Sequence, residues 1–132
     1  MRKDQSGQGL VELILVFPLL LLVLLGIIDF GRVYFAYVTI TNASREGARY
    51  ASSCPSDLVE IKNRVVRETS GLVEIRMDDI TVYPSGGEIA VRVANDFRAS
   101  FFAQLPFVRD YFTPGGVLTI RAQTVMPIIS TC

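Results

Sequence analysis

The apolar positions of this chain follow three different rules in turn. From Leu10 to Ile28 they are nearly unbroken: 19 residues in which Glu12 is the sole charge and no polar face can be drawn. From Val33 they recur at steps of three and four, at Val33, Ala36, Tyr37, Ile40, Ala43, Gly47 and Ala51, the period of a helix with one buried side. Past Cys54 the rule changes again. Leu58, Ile61 and Val65 keep the helical step, whereas Ile89, Val91 and Val93 alternate with smaller or polar residues, as strands with one buried face do.

The first regime predicts a transmembrane helix. Nineteen residues rise about 28 Å at 1.5 Å each, close to the roughly 30 Å of a bilayer core. A lone apolar span in lipid has to be helical, because every backbone amide needs an internal partner. Pro18 removes one of those bonds and is expected to bend the span locally. Arg2 and Lys3 precede the run against one acid, Asp4, so the positive-inside rule keeps the N-terminus in the cytoplasm and exports the remainder. A secretory signal is disfavoured. The run exceeds a usual h-region and leads into Asp29-Phe30-Gly31-Arg32, not into a small-x-small site. Asp29 and Arg32, three apart, are expected to mark the far membrane surface and to pair weakly.

The helical period continues above that surface. Pro55 sets its end, since the residue before proline avoids helical dihedrals, and one helix is predicted from about Leu10 to Ser52, roughly 65 Å long. Ala36, Ala43, Gly47 and Ala51 form a stripe of small residues that lets another backbone approach closely. Two partners are open for it: the chain's own globular domain alone, or that domain and also the same helix of other subunits. Asn42, Arg45, Glu46 and Arg49 lie on the opposite side, with Glu46 and Arg49 spaced to pair.

Residues 53–132 read as a small α+β domain. Ser56 or Asp57 can cap a helix reaching about Thr69, and Gly71 suits its end. Strands are expected at Ile80–Tyr83, Glu88–Ala94 and Val117–Met126, the last with Leu118, Ile120, Ala122 and Met126 inward, in an antiparallel sheet. Val73–Met77 is a candidate fourth strand. Pro84-Ser85-Gly86-Gly87 supplies a turn. Between the last two strands lies "FRASFFAQLPFVRDYFTPGG", which carries Phe101, Phe102, Phe107, Tyr111 and Phe112. It reads either as an amphipathic cover for the sheet or as a contact surface for another subunit or a host surface.

Composition narrows function mainly by exclusion. The chain has 132 residues, 13 basic and 13 acidic side chains and no histidine. The charge balance and the scattered basic residues give no nucleic-acid stripe, and the commonest general base and metal ligand is missing. No phosphate loop, dinucleotide fingerprint or zinc-protease motif occurs. Asp78-Asp79 offers too few ligands for calcium. The expectation is a non-enzyme without cofactor or metal. Cys54 and Cys132 are too far apart for a redox or zinc motif. In an exported domain a disulfide is their natural state, two unpaired thiols being the alternative.

Four short motifs then stand in order: Gly7-Gln8-Gly9-Leu10-Val11-Glu12, the Phe17-Pro18 step, Asp29-Phe30-Gly31-Arg32, and Ala43-Ser44-Arg45-Glu46-Gly47-Ala48-Arg49. In this order and spacing Gly7 to Ser52 closely resembles the TadE-like family of pilin-like proteins from tight-adherence (Tad, or Flp-type) type IV pilus systems. The resemblance implies a prepilin-type leader, residues 1–7, cut by a prepilin peptidase between Gly7 and Gln8. Glu12 then becomes the fifth residue of the mature chain. A cut after Gly9 would leave it third. Leu13 departs from the aromatic residue that often follows this glutamate in related small pilins. The implied organisation is leader, membrane-spanning and projecting helix (8–52), and exported domain (53–132). The implied partners are other pilin subunits, the peptidase, the inner-membrane assembly platform and the membrane, and the implied role is that of a minor subunit.

Physical chemistry gives that glutamate a task. An ionised carboxylate at the edge of lipid costs several kcal/mol unless it is paired or protonated. Cleavage creates an ammonium at Gln8, four residues before Glu12. Pairing with it, in the same or an adjacent subunit, would set the stagger of one helix against the next. The plainer reading leaves Glu12 solvated at the cytoplasmic interface. At the level of the whole chain, the alternative to a processed subunit is an uncleaved single-pass protein that acts as a pilus assembly or surface-binding module.

Overall fold

The computed structural model describes residues 6–71, 73–98 and 117–132. One helix, α1 (Ser6–Ser53), runs for 48 residues, about 72 Å at the usual rise. Pro18 lies within it. The helix begins a turn earlier than the apolar run predicts, because Gly7 to Gly9 continue its backbone geometry. Its upper polar side chains are satisfied internally: Thr39 and Thr41 donate to the carbonyls of Phe35 and Tyr37 at 2.9 and 2.7 Å.

A second helix, α2 (Leu58–Thr69), starts where Asp57 accepts a hydrogen bond from the Glu60 amide at 3.1 Å, the expected cap for an orphan N–H. Gly71, with φ of 79°, lies just beyond its last turn. The candidate strand at Val73–Met77 is not one. Its alternation buries only Ile75, and the Arg76 amide turns inward to the Asp79 carboxylate at 3.0 Å. A short 3-10 turn at Met77–Asp79 follows, so local bonds take the place of a ladder.

Three strands, β1 (Ile80–Ser85), β2 (Glu88–Arg98) and β3 (Val117–Pro127), form an antiparallel sheet in the order β1-β2-β3. The β1–β2 hairpin closes on Gly86 and Gly87, with φ of 59° and 87°, the two left-handed positions that a tight hairpin turn needs. Register places Val82 opposite Val91, and Val93 opposite Ala122. The inner face therefore carries Ile80, Ile89, Val91, Val93, Ile120 and Ala122, all buried. Leu118 departs from the expected inward set: it is 37% exposed at the end of the sheet, opposite Phe97.

Both helices lie on this one face. Ile40, Ala43, Ala48 and Ala51 of α1 join Ile61 and Val65 of α2 over the strands in one core. Ser44, fully buried, exchanges a 2.7 Å hydrogen bond with Thr124 of β3, so the polar atom placed in this core is satisfied. The architecture is α+β: a long apolar N-terminal helix, then a helix and a three-stranded sheet packed on its upper half.

Candidate functional site

The unusual feature of this molecule is α1, and its two halves have different surroundings. Every residue from Gly7 to Leu24 is exposed. Leu15, Leu19 and Leu20 show 73, 62 and 58% of their surface, a state no leucine-rich helix keeps in water. By length and composition α1 is able to cross a membrane. Above Val33 the same helix is buried along one side.

The small-residue stripe lies on that buried side. Ala36, Ala43 and Ala51 are 3, 0 and 0% exposed, and Gly47 faces Val65 of α2 and Val91 of β2. A methyl group added at Gly47 would sit 2.5 Å from one Val65 methyl, well inside contact distance. In the single chain the stripe packs on the chain's own domain, which covers these residues. The face left open in the upper half carries Tyr34, Tyr37, Val38, Asn42, Arg45 and Arg49.

Glu46 is less free than its sequence position suggests. It lies 3.9 Å from Arg49 and 3.5 Å from Arg64 of α2. Arg64 also meets Glu60 at 3.4 Å and stacks over the Tyr50 ring at 4.3 Å. This α1–α2 clasp was not visible from sequence, because nothing in a helical period says which charged residue of a second helix will come alongside.

Glu12 lies on the exposed lower half. Unbroken helix from Ser6 puts Gln8 one turn below it on the same face, so an ammonium at Gln8 would be within reach of the carboxylate. Asp29 and Arg32 pair at 3.8 Å, but Asp29 is 4% exposed. It is a buried acid at the level where the apolar run ends. The Arg32 guanidinium reaches out over the Phe97 ring at 5.3 Å and so ties α1 to the end of β2.

Cys54 and Cys132 form a disulfide, with 5.1 Å between their Cα atoms. Beside it the Ile129 and Ser130 amides donate to the Ser52 carbonyl at 2.9 and 3.4 Å, and the Ser130 hydroxyl to the Ser53 carbonyl at 3.0 Å. The segment after β3 is thereby fastened to the end of α1, whose last carbonyls would otherwise lack partners. Phe101, Phe102, Phe107, Tyr111 and Phe112 lie outside the described residues. Among the described residues no three His, Cys, Asp or Glu side chains gather where they could hold a metal.

The arrangement is thus that of a single-pass membrane protein: an apolar anchor helix that continues unbroken into the core of a small α+β domain. Residues 7–49, the anchor and most of the projecting part, match the TadE-like protein family, the pilus-associated family that the four motifs resemble. No curated protein and no solved structure matches the chain.

Proposed function

We propose that this chain is a structural, pilin-like subunit of a tight-adherence type IV pilus, held in the cytoplasmic membrane by α1 with its N-terminus inside and its domain outside. One observation carries the reading. A single helix is covered by its own domain above Val33 and left bare on all sides below Leu24, so its lower half is built to be surrounded by something else. Lipid surrounds it before assembly, and the helices of neighbouring subunits do so afterwards. The match to the TadE-like family over residues 7–49 supports this context.

In this reading a prepilin peptidase removes residues 1–7, and the assembly platform extracts the mature chain. The new ammonium at Gln8 and the Glu12 carboxylate fix the axial stagger between adjacent helices. A desolvated pair of this kind is worth little against an apolar pair but costs several kcal/mol when one member is lost. The chain then acts by assembly, not by catalysis, in the role of a minor subunit.

Intact-mass measurement on protein from cells with an active prepilin peptidase is the first test. A mature chain beginning at Gln8 is expected, and a chain still beginning at Met1 would favour the uncleaved assembly or binding module. Glu12→Gln keeps the size and removes the charge. It is expected to spare membrane insertion and the disulfide while lowering co-purification with other pilins. Assembly at the wild-type level would leave Glu12 with no part in register.

A further inference from the structure

Where α1 leaves the hydrocarbon, the exported domain does not stand clear of the membrane. If Ile28 marks the edge of the apolar core, the headgroup layer beyond it is about 5–8 Å deep, which is four or five residues of helical rise. Phe30 to Tyr34 therefore pass through that layer. Phe30 and Tyr34 are 72 and 60% exposed, and Phe35 is 52% exposed one residue further on. Aromatic side chains so placed are the usual anchors of a helix at the membrane–water boundary.

At this same level a groove of about 980 Å³ opens between α1 and the underside of the domain. Its helix wall includes Ile28, Arg32 and Phe35, and its domain wall includes Glu74, Arg76 and Arg98. The lining combines apolar Ile28 and Phe35 with charged Arg76 and Arg98, the mixture an amphiphile presents at the boundary of a bilayer. Asp79 and Asp96 also line it, but each already accepts a bond, from the Arg76 amide at 3.0 Å and the Thr119 hydroxyl at 2.8 Å. Arg76, Arg98 and Glu74 are exposed.

From this placement we infer that the groove between α1 and the underside of the domain seats a phospholipid headgroup, with the phosphodiester held by Arg76 and Arg98. Guanidinium groups suit phosphate oxygens, which they meet with paired N–H donors. Glu74, exposed in the same lining, favours a zwitterionic headgroup over a strongly anionic one. The inference rests on the membrane anchoring proposed above and adds to it a defined resting pose. Before assembly the domain lies against the outer leaflet, clamped through a lipid, and incorporation has to break that contact.

The chain contains no tryptophan, so single substitutions give clean reporters. Full-length Phe35→Trp and Leu19→Trp proteins would be reconstituted in phosphatidylethanolamine–phosphatidylcholine vesicles carrying nitroxide on either the headgroup or the acyl-chain end. Phe35→Trp is expected to be quenched at least twofold more by the headgroup label, and Leu19→Trp more by the chain label. Adding R76Q and R98Q to Phe35→Trp is expected to halve headgroup quenching or better, leaving the Leu19→Trp pattern unchanged. Retained headgroup quenching in that triple variant would overturn the arginine–phosphate contact. Quenching of Phe35→Trp that fades as protein is raised relative to lipid would give the groove to a second copy and overturn the lipid. Leu19→Trp untouched by the chain label would overturn the membrane anchoring itself, a failure distinct from Leu19→Trp behaving as expected while Phe35→Trp is silent.

Discussion

The two halves of α1 are one helix with opposite relations to the rest of the molecule. Ile40 is fully buried in the upper half, whereas Leu20 in the lower half shows 58% of its surface. Gly47 has a methyl of Val65 at 2.5 Å from where its Cβ would be, whereas Gly31 has nothing within 4 Å. The difference teaches where the sequence is constrained by folding and where by what lies outside the chain. Changes above Val33 are answerable to the chain's own core, and changes below Leu24 to whatever surrounds the anchor.

The largest effect is expected from the disulfide. It closes a loop with a sequence separation of 78, for which chain-entropy arithmetic gives about 4.5 kcal/mol as an upper figure. For a domain with a core this small, that is a large share of total stability. Cys54→Ser should therefore lower the denaturant midpoint of the domain sharply, with helicity of the lower half of α1 in detergent unchanged. A midpoint within error of wild type would show that the hydrogen bonds at Ser52 hold the closure alone.

Next comes a matched pair of truncations. Ile40→Ala should cost about 2–5 kcal/mol in unfolding of the domain, as buried large-to-small changes do. Leu20→Ala should stay within about 0.5 kcal/mol, because it lies on the exposed lower half of α1. Equal effects at the two sites would erase the division between the halves. The smallest contrast is between glycines. Gly47→Ala forces the Val65 methyl aside and should cost about 1–3 kcal/mol. Gly31→Ala meets open space and should be neutral within about 0.5 kcal/mol in the same denaturant series.

Much of this division was legible in the sequence. The unbroken apolar run, the switch to a three-and-four step at Val33, the cap at Asp57 and the glycine pair at the hairpin are local signals, and each produced the expected element. The disulfide followed from having two cysteines in a domain expected to be exported. What failed was local in one place, at Val73–Met77, and non-local elsewhere. Val73, Ile75 and Met77 alternate like a strand, but only the fold reveals that Asp79 claims the Arg76 amide. Leu118 continues an inward alternation, yet it sits at the end of the sheet. The burial of Asp29 and the Arg64 clasp depend on elements distant in sequence. For the candidate site, Glu12 and the Gly7–Gln8 bond come from the family resemblance alone, whereas the groove beneath the domain combines residues near positions 30, 75 and 97 that share no pattern.

The fastening of Cys132 to Cys54 also decides how the molecule carries tension. A pull applied between the lower end of α1 and the segment after β3 runs along the helix, crosses the sulfur–sulfur bond and leaves the hairpin and α2 off the load path. Unzipping of the sheet then cannot lengthen the subunit until the bond is reduced. Reduction should release a hidden length on the order of 260 Å, from 78 residues of separation at about 3.4 Å each. In single-molecule extension this length should be absent from oxidised protein and present in reduced protein. An oxidised chain that yields it would route the load through the sheet after all.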